Sequence, residues 1–162
     1  MPLSCLLIDH DDTLMSTFEL RASMTALAVQ EVFGETIDGA AFLAESHGAR
    51  LEEMGGAFTK DEGRIEEFVA RYRALYYSRN TEGFRMFDGI REVLEELHGA
   101  GVPIGVVTSK LGRGAEAELA AANMTHLTPI VIGAEDVTYP KPNPEPLLIA
   151  LEKLGHSTTD VL

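Results

Sequence analysis

The stretch that most constrains the fold is LSCLLIDHDDTL, residues 3–14, where a short apolar run ends at three aspartates and a threonine. A nearly continuous apolar run of this length is typical of a parallel strand covered on both faces, so it predicts a buried strand over residues 3–8. Open α/β sheets bind ligands beyond the carboxyl ends of their strands, where Asp9, Asp11 and Asp12 would lie. The alternative is an acidic turn that caps the next helix, because Asp and Thr are common turn and N-cap residues.

Residues 15–84 show helical periodicity and no convincing strand. Helices are predicted over residues 17–33, with a stop at Gly34, and over residues 37–46 and 61–79. The aromatic and apolar positions of the third helix are expected to form a core and not a ligand site. The sequence therefore predicts an all-helical domain, a helical cap, inserted directly after the first strand.

Helix and strand patterns alternate in the remainder of the chain. The predicted order is a helix at 88–99, a strand at 102–107, a helix at 111–122, a strand at 129–132 and a helix at 143–154. Such alternation implies a parallel sheet. The expected fold class is α/β, with a discontinuous Rossmann-like core made of residues 1–14 and 85–162. Residues 158–162 have the pattern of a further strand that has only begun, so this core is expected to be incomplete at its C-terminus.

Polar side chains follow the later strands as well. Thr108, Ser109 and Lys110 come after the second predicted strand, and Lys141, in YPKPNP, comes after the third. Parallel topology brings these ends to one edge of the sheet. Carboxylates, a hydroxyl and a lysine converging there would suit phosphoryl transfer, which needs a nucleophile, a proton donor and positive charge around the phosphate. Ser109 is a candidate substrate contact beside Thr108.

Taken in this order, with a helical insert after the first strand, the sequence resembles the haloacid dehalogenase-like superfamily. The resemblance is to its helical-capped, phosphoglycolate phosphatase-like branch, and it covers the whole chain. The first motif of the family, DxDxT, is matched by Asp9, Asp11 and Thr13, the second motif by Thr108 and the third by Lys141.

The resemblance implies a magnesium-dependent phosphatase that acts on a small phosphorylated metabolite. Asp9 would attack phosphorus to form an aspartyl-phosphate, and Asp11 would protonate the leaving group and later activate water. Mg²⁺ would be held by Asp9 and by the backbone carbonyl of Asp11, while Thr108 and Lys141 would hold phosphate oxygens. The nearest alternative is a sugar-phosphate mutase, which returns the phosphate to its substrate. A 2-haloacid dehalogenase is disfavoured, since that branch needs no magnesium and usually lacks the second aspartate.

Two positions depart from the family pattern. Many members have glycine where this chain has Asp12, which we expect to bind backbone groups locally. An acidic segment that supplies a further magnesium ligand in the family has no match here, and Asp160 would lie at the wrong end of its strand. Either the chain is a fragment, or another chain covers the edge of the first strand through a homodimer or strand exchange. A non-catalytic phosphate-binding or interaction module therefore stays open.

Arg50, in HGARLEE, lies in a segment that resembles the substrate-facing loop of helical-capped relatives. Its guanidinium is a candidate clamp for a second anionic group of the substrate. The alternative, which we favour, is a solvated arginine paired with Glu52 or Glu53.

The composition of the chain limits the classes of partner that it is expected to bind. A formal net charge of −13 argues against nucleic acid and anionic membranes, which are bound mainly through clustered Lys and Arg. No apolar run reaches the roughly 18 residues of a membrane span and no signal-peptide pattern is present, so the expected location is cytoplasmic. The single cysteine, Cys5, is expected to be a small core residue. Five histidines show no metal-ligand spacing and are expected to face solvent or local partners: His10, His47, His98, His126 and His156.

Overall fold

The computed structural model describes residues 3–46, 49–78 and 85–157. The strand expected to begin in residues 158–162, together with Asp160 and His47, lies outside this part of the chain. Within the described ranges, no helix combines the length and the hydropathy that a bilayer crossing requires.

The chain divides into two compact units. The core unit contains Met1–Ser16 and Phe84–Leu162, and the helical unit contains Thr17–Gly83. The core unit holds strands β1 (Leu6–Ile8), β2 (Met15–Ser16), β3 (Arg85–Met86), β4 (Ile104–Val107) and β5 (Ile130–Ile132), helices α5 (Ile90–Gly99), α6 (Gly112–Ala121) and α7 (Glu145–Leu154), and a 3₁₀ turn at Ala134–Asp136. The helical unit holds α1 (Phe18–Phe33), α2 (Gly39–Ser46), α3 (Leu51–Gly56) and α4 (Glu62–Ser78).

A parallel sheet in the order β1-β4-β5 organises the core unit. Ile8 is paired with Val106, and Val107 with Ile132, so the carboxyl ends of the three strands lie together. The strands of this sheet alternate along the chain with α5, α6 and α7, which confirms the predicted α/β class with a helical insertion. The apolar side chains of β4 are buried on both faces of the sheet, as expected for a central parallel strand.

The first strand differs from its prediction. Strand β1 begins at Leu6 instead of Leu3, and its three residues are half-buried. Leu3 is exposed, whereas Cys5 is buried as predicted. In the described sheet β1 is at an edge, with β4 on one side, and an edge strand is less covered than a central one.

The helical unit has a core of its own, and the predicted aromatic positions of α4 contribute to it. Phe68 is fully buried, and its ring stacks with that of Phe33 at a centroid distance of 5.7 Å. Helix α1 ends at Gly34, whose φ of 77° is in the left-handed region that glycine adopts without strain. These features confirm the predicted helix stop and the prediction that the aromatic residues form a core.

Three short elements were missed by the sequence analysis: β2, β3 and α3. The prediction that residues 15–84 contain no strand is wrong at the start of that range, because β2 (Met15–Ser16) pairs antiparallel with β3, Met15 opposite Met86. Helix α3 begins directly after Arg50, in the segment that resembled a loop. Two-residue strands and a six-residue helix are too short to give a period in the sequence.

Candidate functional site

The site lies at the carboxyl edge of the sheet, as the parallel topology predicts. Asp9 follows β1 directly, Thr108 follows β4 directly, and Lys141 comes from the segment between β5 and α7. The ammonium group of Lys141 lies 2.9 Å from Oδ1 of Asp9 and 3.2 Å from the backbone carbonyl oxygen of Val107. Two side chains and a backbone carbonyl from three distant parts of the sequence therefore meet at this edge.

The carboxylate of Asp9 has one oxygen engaged on the protein side. Oδ1 accepts hydrogen bonds from Lys141 Nζ and from the backbone N–H of His10, both at 2.9 Å. The side chain of Asp9 is 42% exposed. These two hydrogen bonds fix the carboxylate at the carboxyl end of β1, the part of the sheet where open α/β folds bind ligands.

A second ionic group surrounds Asp11. Lys110 Nζ lies 3.1 Å from Asp11 Oδ1 and 2.7 Å from Glu118 Oε1. The imidazole of His10 lies on the other side of the same pair of acids, with Nδ1 3.6 Å from Asp11 Oδ1 and Nε2 3.5 Å from Glu118 Oε2. We call His10, Asp11, Lys110 and Glu118 the buried ionic cluster.

Of the two surroundings expected for His10, solvent or a local partner, the structure shows the second, because its side chain is completely buried beside Asp11 and Glu118. Glu118, on α6, is also completely buried, and the sequence analysis did not single it out. A signal was present in the helix pattern, since Glu118 lies beside Ala115 and Leu119 on the buried face of α6. An acid on such a face usually has a basic partner, and Lys110 is that partner here.

The turn after β1 places Asp12 in an unusual backbone conformation. Its φ is 57°, in the left-handed region where glycine is favoured and where Asp and Asn are tolerated. The backbone N–H of Asp12 donates to the carbonyl of Met15 at 2.7 Å, and those of Leu14 and Met15 donate to the carbonyl of His10 at 3.0 Å. This conformation explains how Asp can stand where many members of the resembling family have glycine.

The remaining predicted site residues differ in their surroundings. Thr108 is buried, and its Oγ1 accepts a hydrogen bond from the backbone N–H of Lys110 at 3.1 Å. Ser109 is exposed next to it. Thr108 is thus placed at the site edge and also caps the turn that leads into α6.

Helix α6 starts on an acidic cap. The backbone N–H of Gly112 donates to Oε2 of Glu135 at 2.8 Å. Although desolvation raises it, hydrogen bonds from the N–H groups of Gly112, of Glu135 itself and of Arg113 bring the pKa of Glu135 below its ordinary value. The cap ties the 3₁₀ turn after β5 to the helix that carries Glu118.

Arg50 belongs to the helical unit and is described there alone. Its guanidinium pairs with Glu53 Oε1 at 3.3 Å, and its backbone N–H donates to Glu53 Oε2 at 2.9 Å. This backbone hydrogen bond is the main cause that lowers the pKa of Glu53 from its ordinary value. The pairing is the one we favoured from the sequence, and it serves to start α3.

Two sets of residues could be considered for a metal ion. Asp9 and Asp11 offer carboxylate and carbonyl oxygens, the hard donors that Mg²⁺ prefers, so the donor chemistry at the strand end fits the expected ion. His10, Asp11 and Glu118 also bring ligand atoms within 4.8 Å of one another. In that second set, however, the ammonium of Lys110 already lies between the two acids and compensates their charge.

Comparison with known proteins identifies the class to which this fold and site belong. The chain belongs to the haloacid dehalogenase-like hydrolase family, whose model matches residues 6–162. It is 28% identical over 166 residues to a pyrophosphatase, PpaX, of Bacillus cereus, and the match covers 100% of this chain and 74% of that relative.

Solved structures agree on the fold. A hydrolase of the same superfamily, subfamily IA, from Geobacter sulfurreducens superposes with a TM-score of 0.71 at 26% identity, covering 98% of this chain and 76% of the other. A predicted phosphoglycolate phosphatase from Haemophilus somnus superposes with a TM-score of 0.85 at 20% identity, covering 99% and 76%. The chain thus spans about three quarters of the length of these relatives.

Proposed function

We propose that this chain is a magnesium-dependent phosphatase that hydrolyses a small phosphorylated metabolite through a phosphorylated Asp9. The observation that carries the proposal is the carboxylate of Asp9 at the end of β1. Its Oδ1 is held by Lys141 and by the N–H of His10, and its side chain is 42% exposed. A fixed carboxylate beside an ammonium group suits attack on an anionic phosphate, because the cation offsets the charge of both reactants.

In the first half-reaction, Asp9 Oδ2 forms a bond to phosphorus and the bond from phosphorus to the leaving oxygen breaks. The leaving oxygen takes a proton from Asp11. In the second half-reaction water attacks the phosphorus of phospho-Asp9, Asp11 accepts a proton from that water, and the bond from phosphorus to Asp9 breaks to release phosphate. Both residues return to their starting states, so the sum is hydrolysis of a phosphoric ester or anhydride.

Lys141 and Thr108 bind phosphate oxygens in this scheme, with Ser109 as a further candidate at the same edge. The carboxylate of Asp9 and the backbone carbonyl of Asp11 would hold Mg²⁺, which when bound supplies positive charge to the phosphoryl oxygens. Residues outside the described ranges are not needed for the assignment of Asp9, Asp11 and Lys141.

The substrate is proposed from a relative. Because a full-length match of this chain carries the name pyrophosphatase, pyrophosphate is the first substrate to test, followed by phosphoglycolate, sugar phosphates and nucleotides. Phosphate release should be measured with and without Mg²⁺ in this chain and, where its gene encodes more residues, in the full-length product.

Magnesium-dependent release from at least one of these compounds is the expected result. Transfer of the phosphate to a second position of a sugar, without release, would point to a mutase. Absence of turnover of every compound and of p-nitrophenyl phosphate in both chains would reject the enzyme and leave a non-catalytic phosphate-binding module.

A further inference from the structure

Glu118 is the most deeply buried acid at the strand edge, and both of its oxygens have defined neighbours. Its side chain is fully buried on α6, with Oε1 2.7 Å from Lys110 Nζ and Oε2 3.5 Å from His10 Nε2. An apolar side chain would pack at such a position without the cost of desolvating a charge. A buried acid that is retained there is therefore a candidate for a role beyond packing.

Two neighbours of Glu118 both lie close to the same oxygen of Asp11. Lys110 Nζ lies 3.1 Å from Asp11 Oδ1, and His10 Nδ1 lies 3.6 Å from the same oxygen. Glu118 thus holds the ammonium group of Lys110 by a hydrogen bond, and that ammonium group also donates to Oδ1 of Asp11, while the imidazole of His10 packs beside both acids without a hydrogen bond to either.

We propose that Glu118 is a positioning residue that orients Asp11 for proton transfer by holding Lys110 against Asp11 Oδ1. The proposal rests on the proposed function, in which Asp11 donates a proton to the leaving oxygen. General acid catalysis requires the donor within hydrogen-bond reach of the leaving atom, and a displacement of about 1 Å can cost 10²-fold in rate. Glu118 acts through Lys110 and does not touch the substrate.

The decisive variant is Glu118→Gln, which keeps the shape of the side chain and removes its charge, with Glu116→Gln on the exposed side of α6 as the matched control. kcat/KM should be measured for an alkyl phosphate and for p-nitrophenyl phosphate, because this ratio reports the steps up to cleavage of the ester bond. We expect Glu118→Gln to lower kcat/KM for the alkyl phosphate by about 10²-fold, with a much smaller effect on p-nitrophenyl phosphate, whose leaving group needs little protonation. Equal losses for both esters would indicate a merely structural role and overturn the proposal.

A double variant, Lys110→Met with Glu118→Met, addresses the chance that the single change prevents folding. Replacing a buried ion pair by apolar side chains of similar volume is often neutral for stability. The folded double variant should show the same selective loss on the alkyl phosphate. Wild-type selectivity between the two esters in that variant would overturn the proposal.

Failure of the proposed function has a different signature, since wild-type protein would then hydrolyse neither ester. In that event a crystal structure of the Glu118→Gln protein tests the positioning role of Glu118 without an activity measurement. We expect Lys110 Nζ to move away from its 3.1 Å contact with Asp11 Oδ1. An unchanged contact would show that Glu118 does not position this pair.

Discussion

Substitution of Gly133 by alanine tests the connection between the end of β5 and the start of α6. A Cβ at position 133 would lie 2.1 Å from the backbone nitrogen of Gly112, 2.5 Å from its Cα and 2.7 Å from Glu135 Oε2. Ordinary contact requires these backbones to separate by roughly 1 Å, which backbone atoms in a packed protein resist.

The expected cost has two parts. Overpacking of this kind costs about 1–3 kcal/mol, and separation would also weaken the hydrogen bond from Gly112 N–H to Glu135, which is worth about 1 kcal/mol. The free energy of unfolding should therefore fall by about 2–4 kcal/mol, which corresponds to a Tm roughly 4–16 °C lower for a protein of this size.

Differential scanning calorimetry and circular dichroism measure the effect, with Gly99→Ala as the control. Gly99 ends α5, is exposed, and has no atom within 4 Å of an added Cβ. Its replacement should be neutral or stabilise by up to about 1 kcal/mol, because alanine has the higher helix propensity. A Gly133→Ala protein as stable as wild type would show that the close approach of the two glycines is not a feature of the folded protein.

Three further substitutions test the site and its supports. Lys141→Met should lower kcat about 10²- to 10³-fold, because it removes the cation beside Asp9. The control Lys153→Met, at an exposed position on α7, should leave kcat unchanged. Equal turnover of the two variants would contradict the role of Lys141. Glu135→Gln should lower the free energy of unfolding by about 0.5–1 kcal/mol in urea titrations at pH 7. Because folding lowers the pKa of Glu135, the stabilisation by its carboxylate is present above the ordinary value of 4.5 and is lost as pH falls through the lowered pKa. If the wild type were still more stable than Glu135→Gln by the same amount at pH 3, the stabilisation would not come from the charged carboxylate. Arg50→Ala should leave the KM ratio of a carboxylated substrate to p-nitrophenyl phosphate unchanged, since Arg50 pairs with Glu53, and a selective rise for the carboxylated substrate would favour the clamp.

Much of the fold follows from local patterns in the sequence. The alternation of helix and strand periods after residue 87 predicts the parallel sheet and its three helices, whose boundaries agree to within about two residues. Gly34 and Gly155 mark helix ends because both have φ values near 76–77° that other residues rarely adopt. These features depend on short-range chemistry, and short-range chemistry can be read from one sequence.

The candidate site could be predicted only in its outline. Parallel topology places Asp9 and Lys141 at one edge, and the structure brings them to 2.9 Å. Parallel topology alone does not predict which acid each lysine contacts. The sequence analysis identified Lys110 only as a polar residue at a strand end. The pairing of Lys110 with Glu118 depends on how α6 packs beside β4, a tertiary arrangement that has no signature in residue spacing.

Burial of His10 was missed for a related reason. Alternation along a strand predicts which face a side chain takes, but the turn after β1 ends that alternation at Asp9. The side chain of His10 is buried against Glu118, and residue spacing alone does not predict this contact.

The central claim is that Asp9 is the nucleophile, and the most direct test is to trap its phosphorylated form. Magnesium-loaded protein should be mixed with substrate and quenched in acid, and the peptide that contains Asp9 should be analysed by mass spectrometry. We expect a mass increase of one phosphoryl group on Asp9, accumulating further in Asp11→Asn, which lacks the base for the second half-reaction.

Asp9→Asn should show neither the phosphoryl adduct nor turnover, with kcat lowered by on the order of 10⁴-fold or more. The control Asp12→Asn should keep both the adduct and turnover, since Asn also tolerates the left-handed φ of 57° at this position. A phosphoryl group on a different residue of wild-type protein, or wild-type turnover by Asp9→Asn, would contradict the account.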